Sequence, residues 1–159
     1  MSTRRRLLGA AGLGVAASVL GRAATGAPAA AVLPRPASLA AQLAQAASLR
    51  KALVLMVSLE GCPYCKLVRE SYLVPMRAEG QPVAQIELAD QVPLLDLRGQ
   101  PSTHALVAAA FEVRVAPTVL FLGRGGVEAA PRLVGVASTD FYGAYLQQRV
   151  DAANRTVAG

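Results

Sequence analysis

The sequence predicts an α/β domain, with a central mixed sheet of about four strands flanked by helices. Three observations predict it. The run ALVLMVSL at 52–59 is apolar on both faces, as a central strand covered by helices on each side has to be. In the first half, strand-length and helix-length patterns alternate, which implies parallel neighbours joined by right-handed crossovers. In the second half two short apolar runs, TVLFL at 118–122 and RLVGV at 132–136, flank a Gly-rich turn and read as a hairpin, with one more helix to cover it.

The elements follow in order. Ser38 is suited to cap a helix that runs to about Arg50, with Leu39, Leu43, Ala46, Ala47 and Leu49 on one face. After the 52–59 strand a second helix opens at Cys62-Pro63, with Pro in its first turn, where its missing N–H costs nothing. Leu67, Val68, Ser71 and Tyr72 continue it at helical spacing, and Pro75 is expected to end or kink it. PVAQIEL at 82–88 alternates as a strand, and 91–101, bounded by Pro and Gly, reads as an excursion. Ser102 is placed to cap a helix over 103–114 whose inner face is Ala105, Leu106, Ala109 and Phe111. Ser138 or Thr139 caps a last helix from Asp140 to about Ala152, with Phe141, Tyr145, Leu146 and Val150 inward.

The chain has 159 residues, the size of one domain, and is 53% hydrophobic, enough for a core without disulfide staples. Its net charge of +6 invites a nucleic-acid reading, but Arg4, Arg5, Arg6 and Arg22 lie in the first 29 residues, which hold no acid. The remainder sets twelve basic groups against ten acids, and no basic stripe with interleaved aromatics remains, so no nucleic-acid partner is expected.

The first 29 residues read as an export signal: a basic start, an apolar stretch at 7–20, then small residues with A-x-A sites at 27–29 and 29–31. That stretch is shorter and more Gly- and Ala-rich than the ~20 apolar residues of a spanning helix, so a cleaved signal is expected over an anchor, and no span remains after its removal. Thr3-Arg4-Arg5 followed by Leu7-Leu8 resembles the twin-arginine signal, with an ordinary secretory signal as the other route. Either route leads to the bacterial periplasm, where disulfides persist. The expected organisation is therefore signal 1–29, an Ala/Pro-rich linker 30–37, a domain over 38–152 and a tail 153–159.

The two cysteines, Cys62 and Cys65, stand where an apolar strand gives way to a helix. A zinc site needs three or four ligands, and beyond these thiols the chain has one His and no further Cys, so no metal is assigned. Copper held by two thiolates would draw on Met76 or His104, both poorly placed in sequence, and a lone His at the start of an Ala-rich helix is expected on the surface. A purely structural disulfide would close a very small loop and stabilise little. Redox use fits the local geometry. A Cys at a strand-to-helix junction sits beside unpaired backbone N–H groups, which favour thiolate and lower a thiol's pKa below about 8.5. Cys62 is then the exposed nucleophile, and Cys65, one turn on and more buried, resolves the mixed disulfide. Pro63 restricts the backbone between them, Tyr64 offers a partner an apolar contact, and Lys66 adds a nearby positive charge.

The Cys62-Pro63-Tyr64-Cys65 motif after an apolar strand, then FEVRVAPTVLFL at 111–122, then RLVGV, resembles a thioredoxin-fold domain over about 39–150. The resemblance implies that Pro117 is a cis proline packed against the cysteines and that Ala116 contacts the substrate chain through its backbone. Cys-Pro-Tyr-Cys is the glutaredoxin tetrapeptide, but the export signal, the leading helix and the 91–101 excursion look more like exported thioredoxin-like proteins of the SoxW type. Such a relative needs no cofactor, takes protein disulfides as partners, and is recharged by a membrane thiol transporter similar to DsbD or CcdA. The expected activity is reduction of disulfides in envelope proteins, with a DsbA-like oxidant and a copper-carrying or chaperone CxxC protein as rivals. The oxidant is disfavoured because that family carries a helical insertion between its CxxC and Pro halves. No long heptad or apolar stripe calls for a dimer, so a monomer is expected.

Two departures from the resemblance stand out. Gly61 occupies the place of the Trp that precedes the first Cys in thioredoxins. Met56 stands where thioredoxins bury an Asp that takes the second thiol's proton, and the nearest acid in sequence is Glu60.

Overall fold

The computed structural model describes residues 32–159; the predicted signal lies outside the described residues, as do the first residues of the predicted linker. The elements are α1 (Leu39–Ser48), β1 (Leu53–Ser58), α2 (Pro63–Val68), a π turn (Arg69–Leu73), α3 (Val74–Ala78), β2 (Val83–Glu87), β3 (Pro93–Leu95), β4 (Pro101–Thr103), α4 (His104–Ala110), β5 (Thr118–Leu122), a 3₁₀ turn (Arg124–Gly126), β6 (Glu128–Val134) and α5 (Thr139–Ala158). Four strands form the predicted mixed sheet in the order β2-β1-β5-β6. β1 and β2 are parallel, with Ser58 opposite Glu87, and β1–β5 and β5–β6 are antiparallel.

All six residues of β1 are buried because the strand is covered on both faces. Val54 and Met56 face one apolar layer with Cys65 and Val68 of α2 and with Tyr142, Leu146 and Val150 of α5. Leu53, Leu55 and Val57 alternate to the other layer, with Leu39 and Ala46 of α1 and Val107 and Ala108 of α4.

Pro75 does not end the second helix. Its ring would crowd the carbonyl four residues back, but the preceding residues widen into a π turn, where Val74 N–H bonds Arg69 O, and helix continues to Ala78. The 91–101 excursion forms most of a hairpin, β3–β4, whose second strand runs on to Thr103, with Leu94 opposite Ser102. The helix after it starts one residue later than predicted: Thr103, not Ser102, accepts the Leu106 N–H at 3.3 Å. His104, Val107 and Ala108 face inward, Leu106 is 60% exposed and Phe111 packs partly buried against the core, which corrects the inner face read from the sequence except at Phe111.

The described part of the predicted linker packs on the domain. Leu33 is 1% exposed, Pro34 O accepts the Gln85 N–H, and Ala37 O accepts that of Leu95. The reason lies in β2, an edge strand whose outward N–H groups need acceptors. Pro34 O serves Gln85, and His104 Nδ1 serves Glu87 at 3.3 Å. His104 is thus fully buried, where the sequence reading placed it on the surface.

The predicted tail 153–159 is helix as far as Ala158, and Ala153 and Val157 are buried. Inward positions on α5 are Tyr142, Leu146, Val150, Ala153 and Val157, a row at helical spacing, while Phe141 and Tyr145 are 61% and 53% exposed, contrary to expectation. Asn154 closes a polar ring at the sheet's end. Its Oδ1 accepts from Ala52 N at 2.9 Å, its Nδ2 donates to Gln81 Oε1 at 3.0 Å, and Gln81 Nε2 donates to Ala52 O at 2.7 Å. Replacing Asn154 with Ala leaves the Ala52 N–H and the Gln81 amide short of partners, so chemical denaturation should show a loss of about 1–3 kcal/mol. Among the described residues, no helix is long and apolar enough to cross a membrane.

Candidate active site

The site begins where β1 ends. Gly61 has φ +74°, a left-handed conformation that favours glycine, so this turn gives a local reason for Gly where thioredoxins have Trp. Cys62 then takes an extended backbone (φ −80°, ψ 114°) as the residue before α2, its N–H bonded to Leu59 O at 3.2 Å. Pro63 occupies the first helical position. Cys62 and Cys65 are joined as a disulfide, with Cα atoms 5.2 Å apart. Cys62 is half-buried and Cys65 is 1% exposed. The Cys65 N–H points at Cys62 Sγ at 3.1 Å, and after reduction the same donor faces a thiolate.

The second half of the site comes from the segment before β5. The Ala116–Pro117 bond is cis, Pro117 is buried, and Ala116 O lies 4.0 Å from Cys62 Sγ. This segment is tied down by Thr118 Oγ1 donating to Val115 O at 2.7 Å and Gly135 N donating to Pro117 O at 2.7 Å. The structure therefore brings Cys62, Cys65, Ala116 and Pro117 together, while Tyr64 is 54% exposed on the helix between the cysteines. Met56 is fully buried in the same apolar layer as Cys65, so no carboxylate occupies that position.

A cleft of about 810 Å³ opens beside Cys62. Its lining includes Glu60, Lys66 and Arg69, and also Arg35, Glu87 and Asp90 from distant parts of the chain. Glu87 is 7% exposed; its Oε1 accepts from Gln85 Nε2 at 2.7 Å and from Arg35 Nη2 at 3.1 Å, and its Oε2 has no hydrogen-bond partner among the described residues. Sequence reasoning missed this group. Its signal was an acid inside a strand pattern, but only the parallel register that sets Glu87 beside Ser58 places it near the cysteines. Burial lowers the pKa of His104, the Arg35 charge adds to that, and Asp90 and Glu87 oppose it. With its Nδ1 accepting from the backbone, His104 is a neutral imidazole serving the edge of β2. Among the described residues, no group of three or more His, Cys, Asp or Glu side chains is placed to hold a metal ion.

This arrangement can carry out thiol–disulfide exchange. With the pair reduced, one thiolate of the pair can attack a disulfide sulfur, so that one S–S bond forms, one breaks and a partner thiolate leaves. The other thiolate of the pair can then displace the second partner thiolate and close the internal disulfide, so that two electrons pass to the partner.

The model of a thioredoxin-like domain matches residues 39–149. No curated protein matches the chain. Among solved structures, a thioredoxin-fold protein from Helicobacter pylori is 15% identical with a TM-score of 0.53, covering 67% of this chain and 73% of that one. Thioredoxin NaTrxh from Nicotiana alata is 20% identical with a TM-score of 0.49, covering 75% and 96%. The periplasmic thioredoxin SoxS from Paracoccus pantotrophus, in its reduced form, is 22% identical with a TM-score of 0.42, covering 65% and 99%. The family match spans the sheet, the cysteine pair and the Ala116–Pro117 segment, and on that match the chain belongs to the thioredoxin-like domain family.

Proposed function

We propose that the protein is an exported thiol–disulfide oxidoreductase of the bacterial periplasm that reduces disulfides in envelope proteins. The observation that carries this reading is the asymmetry of the pair. Cys62 is half-buried, with its Sγ beside a backbone N–H and the Ala116 carbonyl, while Cys65 is buried. Cys62 is the nucleophile and Cys65 the resolving thiol. Pro63 and Tyr64 tune and flank them, and the backbone at Ala116–Pro117 receives the substrate chain. The basic, weakly apolar N-terminal segment with its A-x-A sites supports export. The reductive direction is supported by the join between the halves: one strand, a short hairpin and a seven-residue helix, without a helical subdomain. A membrane thiol transporter similar to DsbD or CcdA supplies the electrons, and the domain works as a monomer without a cofactor.

The test is turbidimetric insulin reduction with dithiothreitol. The mature protein should raise the rate at least about tenfold over dithiothreitol alone, the effect expected when a thiol positioned for exchange replaces a free one. A rate equal to dithiothreitol alone contradicts the proposal.

A further inference from the structure

The family match begins at residue 39, yet the segment before it, 32–38, reaches the site. It lies along the open edge of β2 as a strap. Leu33 and Pro36 are buried, Pro34 O accepts the Gln85 N–H, and Ala37 O accepts that of Leu95. Between these anchors Arg35 Nη2 meets Glu87 Oε1 at 3.1 Å. Glu87 lies on the sheet face that carries the cysteine helix. Val83 packs in the same layer as Cys65, and Gln85 and Glu87 follow it at strand alternation, while Ala84 and Ile86 turn to the other layer. Arg69 marks the same face, its Nη1 donating to Gln85 Oε1 at 3.4 Å. Opposite Glu87, β1 carries only Ser58, and Gly61 has no side chain, so an open cleft separates the carboxylate from Cys62. The charges around that cleft balance only while the strap is in place. Lys66 and Arg69 of the helical run stand against Glu60 and Asp90 from the loops after β1 and β2, two of each sign. His104, which accepts the Glu87 N–H, is held neutral above pH 6.5 by burial. Glu87 and Arg35 remain, and among the described residues Glu87 pairs with Arg35 alone. The Glu87 side chain is 9% exposed and that of Arg35 is 53% exposed, so the carboxylate is the less screened charge of the two.

We propose that Arg35 and Glu87 are positioning residues for the exchange reaction, the strap's cation cancelling a buried carboxylate that opposes the Cys62 thiolate across the cleft. The inference rests on Cys62 being the exchanging thiolate, and it makes segment 32–38 part of the active site. The A-x-A sites at 27–29 and 29–31 both precede the strap, so removal of the signal at either one leaves Arg35 in the mature chain. Loss of Arg35 leaves the cleft one negative charge in excess and disfavours the thiolate. Loss of Glu87 leaves one positive charge in excess and favours it, and loss of both restores the balance.

Alkylation of the reduced mature protein by iodoacetamide, a neutral reagent, tests this. The rate is followed from about pH 6.5 to 10, with the adduct read at Cys62 by mass spectrometry, and gives the midpoint of thiolate formation. Arg35→Gln should raise the midpoint by roughly half a pH unit, the scale of one unit charge acting through a wet cleft, and so slow alkylation about threefold below it. Glu87→Gln should lower the midpoint by a similar amount. The double variant should lie between the two and near the wild type, and Arg35→Lys, which keeps the charge, should stay near the wild type. A purely structural role for the pair predicts no shift, or shifts of one sign in both single variants, and either result overturns the proposal. So does an Arg35→Lys midpoint that moves as far as that of Arg35→Gln. Alkylation does not depend on exchange with a disulfide. Unmoved midpoints therefore leave the exchange activity standing, and a wild type inactive on insulin contradicts the exchange activity while the midpoints still decide whether the strap acts on Cys62.

Discussion

Replacing Cys62 with Ser abolishes disulfide reduction, and replacing Cys65 with Ser turns the protein into a trap that accumulates partners on Cys62. The two outcomes follow from the different surroundings of two chemically identical side chains. Only Cys62 is open to a partner, and it is the sulfur that faces the Cys65 N–H and the Ala116 carbonyl. A hydroxyl in its place is almost wholly protonated at neutral pH and a far weaker nucleophile, so insulin reduction should fall by on the order of 10³ or more, to the background. Without Cys65 the first exchange still runs and the second cannot, so the mixed disulfide persists. Non-reducing electrophoresis of periplasmic extract should show Cys62-linked adducts that collapse with dithiothreitol. Their absence while oxidised substrate is present would show that Cys62 is not the attacking group.

His104→Ala should cost about 3–5 kcal/mol, the range for emptying a large buried side chain and orphaning its hydrogen-bond partner. The imidazole fills a fully buried position, and its Nδ1 is the acceptor for the Glu87 N–H at the open edge of β2. Ala leaves both a cavity and an orphaned N–H, whereas Asn keeps an acceptor near the Nδ1 position and should lose less. The same residue sets a pH dependence. Burial, the largest cause, and then Arg35 hold the folded-state pKa below 6.5, against the opposing Asp90 and Glu87 charges. In that window the unfolded chain binds the proton and the folded chain does not. The contribution is therefore fully present above about pH 6.5 and is lost as pH falls below it toward the depressed value. Urea denaturation at pH 7.5 and 5.5 should show this loss in the wild type, and His104→Asn should flatten the part of the slope due to residue 104.

How far the fold is legible in the sequence depends on which residues carry the pattern. TVLFL reads as a strand at its observed bounds because a Thr and four consecutive apolar residues lie between Pro117 and Gly123. Pro75 misleads because one widened turn upstream absorbs a clash that a regular helix could not. α4 starts one residue late because Ser102 and Thr103 both suit a cap on paper, and its inner face is misread because His104 and Ala108 carry no bulky apolar signal. On α5, Phe141 and Tyr145 draw attention by size, yet the buried row includes the small residues Ala153 and Val157, which a scan for bulky groups passes over.

The candidate site divides in the same way. Its two cysteines and its proline sit in local motifs, and both halves are readable without coordinates. The cleft is not, since Arg35, Glu87 and Asp90 belong to an extended segment, an edge strand and a turn that only sheet register brings beside Cys62. His104 is misread for a related reason. Its partner is a backbone N–H, which leaves no trace in the side-chain sequence.

The most direct test of the reductive role is the equilibrium potential of the Cys62–Cys65 couple, measured against glutathione redox buffers by alkylation and mass spectrometry. A thioredoxin-like reductant should lie below about −200 mV, toward the thioredoxin value near −270 mV. A potential near −120 mV, the range of a DsbA-type oxidant, would contradict the reductive role.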